Sequence, residues 1–272
     1  MLKVETNLEF DGYIDLTPEE LLAALGNQGF GPPPHLSQGY EDVDQAQLDL
    51  ILHAGNRSLT ARGLIEGDEA ERSLVPVVAA LSHAIGEPGL VANVVVMSES
   101  VGSTWLFANP EFVAAMTDVG DGIQRLRLFP VDDFPDVMSL TCELDELSDT
   151  PSMEDPFEVV LPDLPDDFMT NPVPFDEALN ETAESQKLAE ISGPGSSFWV
   201  LTVSTPLLDE DVEGIDSRAV MWLRNSEGVV SLLTESGEGK LLVQPSSGVE
   251  VSERISNIFI REVADVSPAP ST

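Results

Sequence analysis

Positive charge is scarce in this chain: 12 Lys and Arg stand against 49 Asp and Glu in 272 residues, a formal net charge of −37. Such a surface repels phosphate backbones and anionic lipid headgroups, which argues against nucleic acid or a membrane as a direct partner. It suits a basic partner, and equally a chain adapted to high salt. Leu128 to Gln186 holds no Lys, Arg or His, but 17 Asp and Glu. Cysteine is nearly absent as well. Cys142 stands alone, so no intrachain disulfide can form, as befits a reducing compartment. No apolar run approaches the ~20 residues needed to span a bilayer. The opening MLKVETNLEF has no basic stretch leading into an apolar core, so it does not read as a signal peptide, and the expected location is the cytoplasm.

What the chain does have is a core. Its hydrophobic fraction is 42%, enough for a globular fold of one large domain or two lobes. In Val43–Ile65, Leu48, Leu52, Gly55 and Leu59 recur at helical spacing with Ile51 beside them. Asp42 or Asp44 caps that helix, and Gly63 after Arg62 supplies an exit that tolerates positive φ. Thr17-Pro18-Glu19-Glu20 opens a shorter helix, with Thr17 as cap, Pro18 at the first helical position and Glu20 three residues on. A further helix is expected over residues 68–85, and one over Asp133–Leu147.

The period then shifts to that of strands. Leu90–Met97, Thr104–Ala108, Phe112–Thr117 and Ile123–Pro130 form one block with a turn at Asp118–Gly122, and residues 1–16 supply one more strand. Phe198–Ser204, Ala219–Arg224, Val229–Thr234 and Lys240–Gln244 form a second block. A helix over Pro174–Ile191 precedes this second block, and one over Val249–Val263 follows it. The expected organisation is an N-terminal α+β half (residues 1–147), an acidic Pro-rich connector (148–173, with a strand near Phe157–Leu161), a C-terminal α+β half (174–263) and a flexible tail (264–272). The fold class is α+β: an antiparallel sheet with flanking helices in two quasi-equivalent halves.

Reactive chemistry is hard to find. His35, His53 and His83 show no paired spacing of the kind a metal site needs, so surface or structural roles are expected. Asp209, Asp211, Glu213 and Gly214 match the start of a calcium-binding loop, but Asp216 and Val220 occupy the positions where that loop needs an apolar residue and a bidentate Glu. They are weak metal candidates at most. No G-x-S-x-G elbow or phosphate-cradling glycine run occurs, and acids flank Cys142, which disfavours a thiolate. Trp105, Trp199 and Trp222 fall in expected strands and read as packing residues, with a client groove as their other use. The chain is expected to be no enzyme and to carry no cofactor.

The order of landmarks resembles a known family. LTPEELLAALG (Leu16–Gly26) is followed by a Pro-containing link and a helix ending LTARGLI (Leu59–Ile65). Later come FWVLTVS (Phe198–Ser204), AVMWLRNSEGVVSLL (Ala219–Leu233) and LLVQPSS (Leu241–Ser247). This is similar to the EspG family of type VII secretion-associated chaperones. The resemblance implies a cytoplasmic, non-catalytic protein that masks the end of a helical PE–PPE secretion substrate. It also implies a client contact in the loop joining the first two sheet strands, here Ser98, Glu99, Ser100, Val101, Gly102, Ser103 and Thr104, with Val101 as the apolar member. A second implied contact region is less sharply aligned, over Pro174–Ile191 and the helix near Val249–Val263. The acidic Pro-rich connector departs from the family pattern. The rival reading is an acidic binding or mimic protein that sequesters a basic partner electrostatically.

Overall fold

Thr17 caps the first helix as its sequence dictates. In the computed structural model its hydroxyl accepts from the backbone N–H of Glu20, and the Glu20 carboxylate accepts from the N–H of Thr17. The structure describes residues 12–37, 40, 43–67, 73–98, 101–150, 155–160, 195–205, 216–237 and 240–266. Among the described residues the first elements are β1 (Ile14–Leu16), α1 (Pro18–Asn27), α2 (Pro34–Ser37) and α3 (Gln45–Ala61). A short ribbon, β2 (Ile65–Glu66) and β3 (Ser73–Leu74), leads into α4 (Pro76–Gly86). The first meander is β4 (Leu90–Met97), β5 (Val101–Ala108), β6 (Phe112–Asp118) and β7 (Gln124–Pro130), followed by α5 (Phe134–Thr141). Then come β8 (Phe157–Val160), the second meander of β9 (Ser197–Thr205), β10 (Asp216–Arg224), β11 (Val230–Gly237) and β12 (Lys240–Ser246), and α6 (Gly248–Val266).

The strands hydrogen-bond in the order β1-β7-β6-β5-β4-β9-β10-β11-β12-β8. The order reads alike from either edge. Each meander ends against the short strand that precedes it, β1 beside β7 and β8 beside β12, and the opening strands β4 and β9 pair antiparallel. The two halves of this antiparallel sheet therefore repeat in topology, although no residue-level repeat is visible in the sequence.

Two compact units are present: residues 1–89 with 106–134, and residues 90–105 with 135–272. In the first, α1 buries Leu21, Leu22 and Leu25 and packs on α3 and α4, while α4 packs on β6 and β7 and buries Val78, Leu81 and Ile85. Only the second half of α3 is deeply packed: Gly55 and Leu59 are buried, Leu48, Ile51 and Leu52 are half-buried, and Leu50 is exposed. In the second unit, one sheet face carries Val95, Met97, Phe198, Val200, Leu223, Leu233 and Val243 in a single buried cluster. The other face carries Trp199 and Trp222, and α6 packs on β9 and β10.

Three expected elements are redrawn. The helix expected from residue 68 starts at Pro76. Val75 before it is extended (ψ 148°), because the ring of a following proline disfavours helical backbone, and Leu74 belongs to β3. The helix expected over Asp133–Leu147 stops at Thr141; Glu143 takes a left-handed conformation (φ 50°) that breaks the run, and a 3-10 turn covers Leu144–Glu146. The strand expected from Thr104 starts at Val101. The Phe157–Leu161 strand is β8, and the final helix runs on to Val266. The helix expected over Pro174–Ile191 lies outside the described residues.

Candidate functional site

The earlier start of β5 changes the expected contact loop. The connection from β4 shrinks to residues 98–100, of which Glu99 and Ser100 lie outside the described residues. Val101, Gly102, Ser103 and Thr104 form the first half of a strand. Val101 is half-buried against the cluster around Val95 and Phe198, so its apolar surface is partly used. The Ser103 hydroxyl donates to Oδ1 of Asn93, a buried residue, at 2.9 Å. These two contacts extend the ladder beyond what strand propensity at Ser-Val-Gly-Ser suggests. Ser98 and Gly102 remain exposed, and a Cβ on Gly102 would meet nothing within 4 Å.

A second concave surface lies wholly in the second unit, between Leu144–Asp149 and the start of α6. Two glycines from distant parts of the chain hold its wall. Ser148 N donates to the carbonyl of Gly228 (2.7 Å), and Gly248 N donates to the carbonyl of Ser148 (2.9 Å). A Cβ on Gly228 would lie 2.8 Å from the Glu146 carbonyl oxygen, and one on Gly248 would lie 2.8 Å from the Leu147 Cβ. Nothing larger than glycine fits either approach. Ser247 and Glu250 fix the start of α6 as a capping box: Glu250 N donates to the Ser247 hydroxyl (3.2 Å), and the Glu250 carboxylate accepts from Ser246 Oγ (2.7 Å) and Ser247 N (3.0 Å). The Ser246 hydroxyl first, then the Ser247 amide, hold that carboxyl below its usual range.

With the helix so fixed, Val251 and Ile255 are buried. Val249, Ser252, Glu253, Ser256 and Asn257 line a groove of about 670 Å³ opposite Leu144, Asp145, Leu147 and Asp149. Its apolar part is Leu144, Leu147 and Val249, the last 53% exposed. Its charged part is Asp145, Asp149 and Glu253, and no Lys or Arg lines it. Arg224, which meets the Leu144–Asp149 wall, donates to Glu143 and Glu146 instead, both at 2.8 Å. The sequence signal for this site was the S-x-x-E capping pattern at Ser247–Glu250. The glycine contacts that shape the wall carry no local signal.

The remaining candidates part company. His53 and His83 are exposed; His83 stacks on Phe30 (centroids 5.8 Å apart) with Nδ1 3.6 Å from Glu87. His35 lies in α2. Among the described residues no group of His, Cys, Asp and Glu is placed to hold a metal. Asp209, Asp211 and Glu213 lie outside the described residues. Burial pushes the Cys142 thiol up to about 12. Trp199 and Trp222 are buried and stacked, with centroids 5.6 Å apart and planes within 11°; Trp105 is half-buried in β5. No helix among the described residues is long and apolar enough to cross a membrane.

No protein-family model matches the chain, and no curated protein sequence matches it significantly. The Mycobacterium tuberculosis type VII secretion system chaperone EspG5, solved in complex with a PE25–PPE41 dimer, matches over 96% of this chain and 99% of its own, with a TM-score of 0.56 and 12% sequence identity. The fold is EspG-like. The mirrored strand order and flanking helices are thus an EspG-like fold carried by a very different sequence. The β4–β5 turn and the groove beside α6 are both features of the second unit of this EspG-like chain.

Proposed function

We propose that the protein is a non-catalytic cytoplasmic chaperone or adaptor that binds a helical protein client of the PE–PPE kind. One observation carries the reading: nearly the whole chain adopts the fold of a chaperone solved with such a client. Residues 98–104 are the proposed client contact. Ser98 and Gly102 are exposed there, while Val101 and Ser103 tie the strand beneath them to the sheet. The small exposed residues Ser98 and Gly102 suit the close packing of a helix end against backbone.

The test is native co-purification. The tagged protein, recovered from its own cells at moderate salt, brings down a stoichiometric helical protein that remains bound at high salt, where exposed charge pairs are screened. A Gly102→Arg variant, which has open space for its side chain, folds normally and loses that protein. A basic partner released completely by salt favours the electrostatic reading instead. Recovery of no specific partner in either condition rejects the chaperone reading.

A further inference from the structure

We propose that the groove between Leu144–Asp149 and α6 binds a basic amphipathic helix, taking its aliphatic stripe on Leu144, Leu147 and Val249 and its Lys or Arg side chains on Asp145, Asp149 and Glu253. The proposal rests on the chaperone reading and names the chemistry of the client segment.

Three observations select this occupant. The groove is built, because glycine contacts on both sides of Ser148 and the Ser247–Glu250 capping box leave its walls little freedom. It is amphipathic in a particular way: Val249 presents an aliphatic side chain 53% exposed, beside half-buried Leu144 and buried Leu147. Its lining carries charge of one sign, and Arg254, next to Glu253 on α6, lies toward Glu250. Arg224 is engaged by Glu143 and Glu146, and Lys240 lies by Glu158, while among the described residues no ion pair reaches Asp145, Asp149 or Glu253. A wholly apolar helix would leave three carboxylates facing it without partners, and an acidic helix would be repelled. A helix with lysines flanking a leucine stripe satisfies both the floor and the rim. The space of about 670 Å³ has room for the side chains of a turn or two of helix.

The experiment measures binding of a fluorescent leucine–lysine amphipathic peptide by anisotropy to the full chain. A leucine–glutamate peptide of the same pattern is the counter-probe. The wild type binds the leucine–lysine peptide and not its acidic twin. The Asp145→Asn/Asp149→Asn/Glu253→Gln variant weakens that binding at least tenfold, and Ser256→Trp, which fills the groove from an exposed position, does the same. A control with equal charge change elsewhere, Asp132→Asn/Asp133→Asn/Asp136→Asn, leaves binding within twofold. Equal losses in the two triple variants would mean that only bulk acidity attracts the peptide, and would overturn the proposal. So would full binding to Ser256→Trp. The native pull-down separates this outcome from failure of the chaperone reading. A client retained by both groove variants overturns the groove and leaves the chaperone intact. Absence of any client from the wild type rejects the chaperone, while the peptide measurements still decide the groove.

Discussion

Arg62 reaches back from the end of α3 to Glu20 in the first turn of α1, with Nη1 2.6 Å from Oε2. The carboxylate is 2% exposed, and its other oxygen accepts from the Ser58 hydroxyl at 2.6 Å. Glu20 is also the acid of the Thr17 capping box. One side chain therefore closes the start of α1 and ties it to the exit of α3, with an acid at a helix N-terminus and a base at a C-terminus.

Replacing Glu20 with Ala removes all of these acceptors at once. The expected loss of stability in urea unfolding is about 3 kcal/mol. Arg62→Ala costs less, roughly 1–2 kcal/mol, because Ser58 and the Thr17 amide still satisfy the carboxylate. Equal midpoints for Glu20→Ala and the wild type would refute this account.

Gly55 is where α1 and α3 touch. A Cβ there would strike the carbonyl oxygen of Glu19 and lie 2.8 Å from the Ala23 Cβ. Alanine would raise intrinsic helix propensity by about 1 kcal/mol, yet it must push the helices apart. Gly55→Ala is expected to destabilise by about 2–4 kcal/mol net. Thermal melting decides the sign: a raised Tm would mean that the close approach is not needed.

The Asp15–Arg125 pair should make acid stability depend on β1. Arg125 donates from Nε and Nη2 to the two oxygens of Asp15 at 2.8 and 2.9 Å, and this hydrogen bonding holds the carboxyl below its ordinary 3.8. A depressed folded value means that the stabilisation is fully present above the ordinary value and fades as pH falls through the lower folded one. The stability difference between wild type and Asp15→Asn should be constant at neutral pH and shrink below about pH 4. A difference that grows on acidification would contradict the sign.

Cys142 should be inert in the native state. Its thiol is buried and pushed up to about 12, so almost no thiolate exists at pH 8. Iodoacetamide is expected to label the chain only in denaturant, and rapid stoichiometric labelling of the folded protein would show the site to be open.

Local chemistry made much of this fold legible. Thr17 with Glu20 and Gly63 at φ 69° act within one turn of chain and mark helix ends, and of the two cap candidates Asp42 and Asp44 the structure selects Asp44, with Gln47 as its partner. The strands of both meanders were readable because β-branched runs alternate with turns. The ribbon at Ile65–Glu66 and Ser73–Leu74 was not, since so short a strand has no period. Glu143 was missed because its left-handed backbone breaks a run whose residue types favour a helix. The groove was illegible for a different reason. It needs Gly228 and Gly248 to meet the backbone around Ser148, and that meeting is set by the fold rather than by neighbouring residues.

The pairing of β4 with β9 joins Met97 to Phe198 and Val91 to Ser204. During synthesis β4 therefore emerges roughly a hundred residues before the strand that completes it, on the order of 5–20 s at ordinary translation rates. Through that interval Leu90–Met97, nearly all apolar, presents one side of its backbone to whatever is near. The first unit's residues end at Phe134, so the nascent chain passes through a stage in which the middle of its future sheet is an open seam. Ribosome-bound fragments that end before β9 are therefore expected to aggregate more readily than the full chain.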